Sequence, residues 1–319
     1  GSEGLKRVLE IAAAGRHNLL LFGPPGTGKT MGVRRIGSIL PCLDRKEAVE
    51  VTRIHSLAGR LPEGYGLIRR PPIRMPHHSA SAEGVIGGGR LVMPGELSLA
   101  HRGILFLDEA PEFKRPILQS LREPLEDYQV GIARAGRHYR FPADVQLIMA
   151  ANPCPCGNYG SEERVCVCSI KEITSYWKKL AGPLLDRVAM RVPVYNRGSV
   201  VGREKGESSE KIAGRVEEAV KTAGERFRTR PYRFNSRIPP ADLELFCELE
   251  EGLQSKFERA LGKLGLSARA AHASLRVART IADLDGKRTI GKEHLFEALQ
   301  YRRTGEEEDI PGEKMRLII

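Results

Sequence analysis

The octapeptide Gly23-Pro24-Pro25-Gly26-Thr27-Gly28-Lys29-Thr30 joins an apolar run, Leu19 to Phe22, to a helix-compatible segment from Lys29 to Leu40. Strand, glycine loop and helix in that order make a cradle for nucleotide phosphates. Glycine tolerates positive φ and close approach, so the backbone N–H groups of Gly26, Gly28 and Lys29 can turn inward around an anion. In such a loop Lys29 neutralises the β and γ phosphates, and the Thr30 hydroxyl is offered to Mg²⁺. A second chemical pair, Asp108-Glu109, follows the apolar run GILFL at 103 to 107. A run without alternation suits a strand buried on both faces of a parallel sheet, and α/β folds place ligands beyond the C-terminal ends of such strands. Beside a phosphate loop Asp108 would hold Mg²⁺ through water, and Glu109 would orient and deprotonate the attacking water. Two adjacent acids favour hydrolysis over transfer to another acceptor; the plainer alternative is two solvated carboxylates opening the next helix. Asn152 closes a third apolar run, Val145 to Ala151, where a neutral amide could hold the water or the γ-phosphate without adding charge.

Two further groups carry chemistry. Cys154, Cys156, Cys166 and Cys168 form Cys-x-Cys, nine residues, Cys-x-Cys, a set able to give four thiolates to tetrahedral zinc. The one-residue bites are tighter than the common Cys-x2-Cys, so reduced structural thiols are the competing reading. Cys42 and Cys247 read as core residues. From Gln129 to Phe141, two strand-like runs flank Ala135-Gly136, the pattern of a β-hairpin. It carries Arg134, Arg137, His138 and Arg140 around Tyr139, a combination suited to phosphates and base stacking, against the bland reading of a solvated surface hairpin.

The elements that must position these residues divide into an α/β part and a helical part. The first spans 3–200 and contains the phosphate loop and the buried strands, including a last one at Val188 to Val194. Helices are expected at Glu47 to Leu57, Lys114 to Glu126 and Ser169 to Leu180. Gly59 to Gly95, rich in Gly, Pro, Arg and His, lacks periodicity and reads as an insertion projecting from the core. A charged, glycine-bearing connection near 200 to 207 marks the domain boundary. Beyond it, 201–305 is helical: Ser208 to Arg228, Ala241 to Leu249, Leu253 to Leu264, Ser267 to Leu284 and Lys292 to Arg302. The tail, 306–319, has no assigned role. The chain has 319 residues, enough for about two domains. No apolar run reaches the ~18 residues of a membrane span and no signal peptide is evident, so a cytoplasmic protein without membrane contact is expected. The net charge of +11 favours polyanion partners, although basic totals are more often merely solvated surface. Gly1-Ser2 reads as an expression scar, and the abrupt entry into a helical pattern at Leu5 leads us to expect preceding sequence in the natural protein.

GPPGTGKT, GILFLDEA, MAANPCPCG, GPLLDR and LSARAAHASLRVARTIADL together resemble the ComM/YifB family of Mg-chelatase-like AAA+ ATPases. PHHSASAEGVIGGG followed by PGELSLAHRGILFLDE is the most specific part of the match, which runs over nearly the whole chain. The resemblance implies a P-loop AAA+ parallel sheet flanked by helices, followed by a small all-α lid domain. It also implies a Lon-protease-like domain ahead of this module, and in the full-length protein a ring, usually a hexamer, with ATP between neighbours. An arginine from one subunit then reaches the γ-phosphate of the next, and Arg187 in GPLLDR occupies that position by motif; a surface pair with Asp186 is the alternative. By the same resemblance Asn152 is sensor 1, and Arg269 is the sensor-2 arginine that closes the lid, with Arg276 and Arg279 as rivals. The hairpin and the insertion match channel-facing elements of related motors. The implied function is an ATP-driven DNA helicase or translocase of the branch-migration type, as in natural transformation and recombination, acting on single-stranded or branched DNA. A chelatase-type motor for metal insertion and a protein remodeller are the alternatives.

Overall fold

The computed structural model describes residues 3–61, 63–64, 66–161, 164–180, 184–195 and 206–302. The expected domain boundary near 201, Gly182 and Pro183 of the GPLLDR motif, and the tail 306–319 lie outside these. The strands are β1 (Leu19–Phe22), β2 (Ile73–Arg74), β3 (Gly87–Gly88), β4 (Met93–Pro94), β5 (Ile104–Leu107), β6 (Gln129–Arg134), β7 (Arg137–Pro142), β8 (Gln146–Ala151) and β9 (Met190–Pro193). Five of them form the central parallel sheet in the order β2-β5-β8-β1-β9, and helices flank it, as in an AAA+ α/β fold. Every residue of β1, β5 and β8 is buried, which is why these strands show unbroken apolar runs instead of alternation.

The chain divides into two compact units. One holds 21–25 and 41–187. Here Ile104 to Leu107 run in parallel register with Gln146 to Met149, and Ile73 and Arg74 pair with Ile104 and Leu105. Trp177, fully buried on the helix Ile170–Lys178, stands edge-on to Phe22 at 5.9 Å.

The other unit contains 3–20, 26–40 and the described residues from 188 onward. The helix Glu3–Gly15 packs on the helices Ser209–Arg226 and Ala268–Leu284, the latter also packing on Lys292–Gln300. A buried polar node ties this helical region together. Asp283 accepts hydrogen bonds from Arg226, from Arg279 at 3.1 Å and from Asn235 at 2.7 Å, while Arg279 also donates to the Arg288 carbonyl. The side chains of Arg279 and Asp283 are each 1% exposed. Asp283→Ala strands a buried guanidinium and should lower unfolding free energy by about 3–5 kcal/mol, measurable by denaturant titration.

Four local expectations need correction. The span 59–95 is not a wholly irregular projection, because it supplies β2 to the central sheet and buries Val85 on the helix Ala82–Ile86. Arg74 anchors that edge strand through a two-pronged ion pair with Glu96, at 2.5 and 2.7 Å. The helix expected over 114–126 is two pieces, Arg115–Ser120 and Pro124–Asp127, since Pro124 lacks the N–H that would continue the first. The one expected over 241–249 shrinks to Leu243–Phe246, because the backbone at 248–250 instead pairs with Ile290. Cys42 is exposed, whereas Cys247 is buried as expected.

Candidate nucleotide site and basic hairpin

Three neighbouring strands end at the chemistry-bearing residues. Leu107 pairs with Met149, so Asp108 and Asn152 follow adjacent strands at the same edge, and the Gly23 N–H donates to the Ala151 carbonyl at 3.2 Å. Parallel pairing thus brings Gly23, Asp108 and Asn152 to one end of the sheet. From Gly23 the chain continues through Pro24, Pro25, Gly26, Thr27 and Gly28 to Lys29 and Thr30, the first residues of the helix Lys29–Ile36. Gly26 and Gly28 hold φ of 79° and 84°, a left-handed conformation that glycine adopts at low cost. A Cβ on Gly26 would meet no atom within 4 Å, so the loop leaves open space on that side. Lys29 is buried and its ammonium donates to the Thr27 hydroxyl at 3.4 Å. This loop fits a polyphosphate, and Thr30 follows Lys29 in the first turn of the helix.

Glu109 also has a positive φ, 50°, unusual for a residue with a side chain, and its N–H is held by the Asp108 carboxylate at 3.1 Å. The Glu109 carboxylate is about half exposed and lies 3.5 Å from His78 Nδ1. His77 and His78 stack with ring centroids 4.1 Å apart, and His77 Nδ1 is 2.8 Å from the Ser79 hydroxyl. The insertion therefore brings a histidine to the candidate general base. The sequence contained the PHH string, but nothing in it signalled a contact with so distant a residue.

Asn152 is half-buried and braced from behind. Trp177 Nε1 donates to the Pro153 carbonyl at 2.9 Å, and Tyr176 hydrogen-bonds the Asn152 main chain. Burial, reinforced by the charges of Glu112 and Glu109, pushes the Tyr176 phenol well above the ordinary tyrosine range, so it stays a neutral group. Sequence reasoning placed the helix that carries Tyr176 and Trp177 but gave them no role.

Arg187 closes the short turn Leu185–Arg187, with its side chain 12% exposed. Its guanidinium lies 2.5 Å from Glu126, an acidic partner distant in the chain. Arg269 sits in the exposed first turn of the helix Ala268–Leu284, whose N-cap is Ser267. Its two rivals have internal work: Arg276 donates to the Ile238 carbonyl at 2.7 Å, and Arg279 belongs to the Asp283 node.

The hairpin has its turn at Ala135-Gly136, both with positive φ as a tight two-residue turn requires. Arg134, Arg137, His138 and Arg140 are exposed. Register separates them. Arg134 pairs with Arg137 on the face shared with Val130 and Phe141, whereas His138 and Arg140 oppose Ala133 and Gly131 on the other. Arg134 also donates to the Gly89 carbonyl, tying the hairpin to the glycine run of the insertion.

The four cysteines converge, their sulfurs all within 4.8 Å of one another. Known proteins share the sequence that builds these features. The family model described as magnesium chelatase, subunit ChlI, matches residues 1–200, and that described as magnesium chelatase, subunit ChlI C-terminal, matches 206–302. The chain belongs to the Mg-chelatase-like family. Competence protein ComM of Haemophilus influenzae is 44% identical over 306 residues, 95% of this chain and 58% of that protein. YifB of Escherichia coli is 44% identical over 311 residues, 95% of this chain and 59% of that one. The magnesium-chelatase 38 kDa subunit of Rhodobacter capsulatus is 25% identical over 328 residues, 92% and 82% of the two chains. The resemblance to ComM and YifB is thereby borne out, and this chain spans less than two thirds of their length. No described helix is long and apolar enough to cross a membrane.

Proposed function

We propose that the chain is the ATPase module of a ring-forming DNA motor, of helicase or branch-migration type, working in the cytoplasm. The observation that carries this reading is the hairpin β6–β7, which presents Arg134 and Arg137 exposed beside its turn and Arg140 exposed on the face opposite buried Val130 and Phe141, on a chain of net charge +11. Exposed arginines clustered at the turn and on the outer face suit contact with a polyanion's phosphates. The Haemophilus relative is named a competence protein, a name that does not itself specify a partner.

In this reading Gly23 to Gly28 cradle the phosphates and Lys29 neutralises their charge. Mg²⁺ held by Thr30 and Asp108 would screen the phosphate oxygens. Glu109 accepts the proton of the attacking water, and Asn152 holds that water or the γ-phosphate in line. Arg187 acts on the nucleotide of a neighbouring subunit in a hexamer, and Arg269 on that of its own.

Interactions of arginine with backbone phosphate carry no base sequence, so binding should be sequence-tolerant and steeply salt-dependent. Because Arg134 also holds Gly89, the cleaner test is Arg137→Ala with Arg140→Ala. Each arginine–phosphate pair removed should flatten the slope of log K against log salt by about 0.9 on duplex and about 0.7 on single strands, with ATP binding unchanged. An unaltered slope removes the hairpin from the DNA path.

The similarity to a magnesium-chelatase subunit supports a second reading, a motor for metal insertion into a tetrapyrrole. ATPase stimulation by single-stranded or branched DNA separates the two, since a chelatase motor has no use for DNA. A protein remodeller would need apolar channel residues where this hairpin carries arginines.

A further inference from the structure

We propose that Cys154, Cys156, Cys166 and Cys168 form a structural zinc site that braces the phosphate loop and the Asn152 strand end. Sulfurs bound to one zinc at ~2.3 Å in a tetrahedron lie about 3.8 Å apart. Cys154 and Cys156 are 3.4 Å apart, and each lies 3.7 Å from Cys166. Cys168 completes a set in which all sulfurs fall within 4.8 Å, and none of the four is in a disulfide. Four ligands with no water position is the closed arrangement of a structural zinc, not a catalytic one.

The surrounding chain points the same way. Val165 is 85% exposed and Val167 83%, while Cys166 and Cys168 between and beside them turn inward. Hydrophobic burial alone would favour the opposite orientation of this short run, because valine gains more than a thiol by leaving water. A metal that claims both sulfurs explains it. The Tyr159 N–H donates to the Cys154 sulfur at 3.3 Å, the kind of outer contact that steadies a thiolate ligand. Binding would release the thiol protons and form four Zn–S bonds, with no change of oxidation state.

The site is joined to the nucleotide machinery through backbone. Cys154 lies two residues beyond Asn152. Gly157, with φ of 80°, approaches Pro25 of the phosphate loop so closely that a Cβ there would come within 3.0 Å of its ring. Cys168 leads into Ser169, the capping-box start of the helix whose Trp177 holds the Pro153 carbonyl and packs on Phe22. Zinc therefore closes a loop whose two ends both support the cradle, and its loss should loosen Pro25 and Asn152 together.

The bracing role rests on the nucleotide-site reading; the metal site itself does not, so the experiment measures them separately. The protein, purified under reducing conditions without added zinc, should contain about one zinc per chain. Replacement of that metal by Co²⁺ should give the intense visible bands of tetrahedral cobalt thiolate, and the paired variant Cys166→Ser with Cys168→Ser should lose both signals. Wild-type protein holding less than half a zinc per chain, with no cobalt bands and all four thiols freely titratable, overturns the site. Zinc removed by chelator and restored as zinc chloride alone should weaken and then recover the binding of a fluorescent ATP analogue, by about tenfold. Equal affinity in the two states would leave zinc bound but overturn the brace.

Discussion

Glu109→Gln should leave ATP binding intact and cut hydrolysis by ~10²–10⁴-fold, the range over which a positioned general base acts. The amide keeps the size and the hydrogen-bonding reach of the side chain but cannot accept the proton of water at neutral pH. The backbone argues that the position is specialised, since Glu109 holds a left-handed φ of 50° at the end of a fully buried strand. Asp108, one residue earlier, is the control: Asp108→Asn should weaken the Mg²⁺ dependence of the rate, which Glu109→Gln should not. His78 is 3.5 Å from the same carboxylate, yet the pair is partly solvated, its side chains 37% and 51% exposed. Exposed pairs contribute about 0.2–1 kcal/mol, so His78→Ala should change turnover by less than about tenfold. Single-turnover hydrolysis alongside nucleotide titration checks all three variants. Turnover by Glu109→Gln close to wild type would place the base elsewhere.

The contrast between Glu109 and His78 shows what a sequence can carry. Leu19 to Phe22, Ile104 to Leu107 and Gln146 to Ala151 announce themselves because a strand buried on both faces must be apolar at nearly every position. The residues at their ends inherit a predictable location, so the phosphate loop, the acid pair and Asn152 were legible together. β2 was not, since two residues behind paired prolines have no periodicity and become a strand only by pairing with Ile104 and Leu105. His78 beside Glu109, Arg134 on Gly89 and Trp177 on Phe22 likewise join distant segments, which spacing along the chain does not encode. The cysteines fall between these cases: their spacing showed that they could meet, and only folding showed sulfurs 3.4 to 3.7 Å apart.

Arg187 carries the remaining large effect. An arginine that stabilises charge spreading over the transferred phosphoryl oxygens contributes ~10³–10⁵ in rate in comparable enzymes. Here its guanidinium is paired with Glu126 at 2.5 Å, and the side chain is only 12% exposed, so the same residue could be a purely internal tie. Two variants and one mixture distinguish these. If Arg187 is an internal tie, Arg187→Ala and Glu126→Ala remove the same ion pair and should lower stability similarly, with hydrolysis falling only as far as folding does. If it serves a neighbour's nucleotide, Arg187→Ala should abolish hydrolysis with ATP still bound, while Glu126→Ala, which removes only this ion pair and keeps the arginine, should keep the rate or raise it. Mixing then reports the direction of reach. Lys29→Ala cannot hold ATP but keeps Arg187, whereas Arg187→Ala holds ATP but lacks the arginine. Each is expected to be inactive alone, and together they should recover hydrolysis, because one kind of interface then combines an intact cradle with an intact arginine. No recovery from a mixture that demonstrably co-assembles would mean that Arg187 works inside its own subunit.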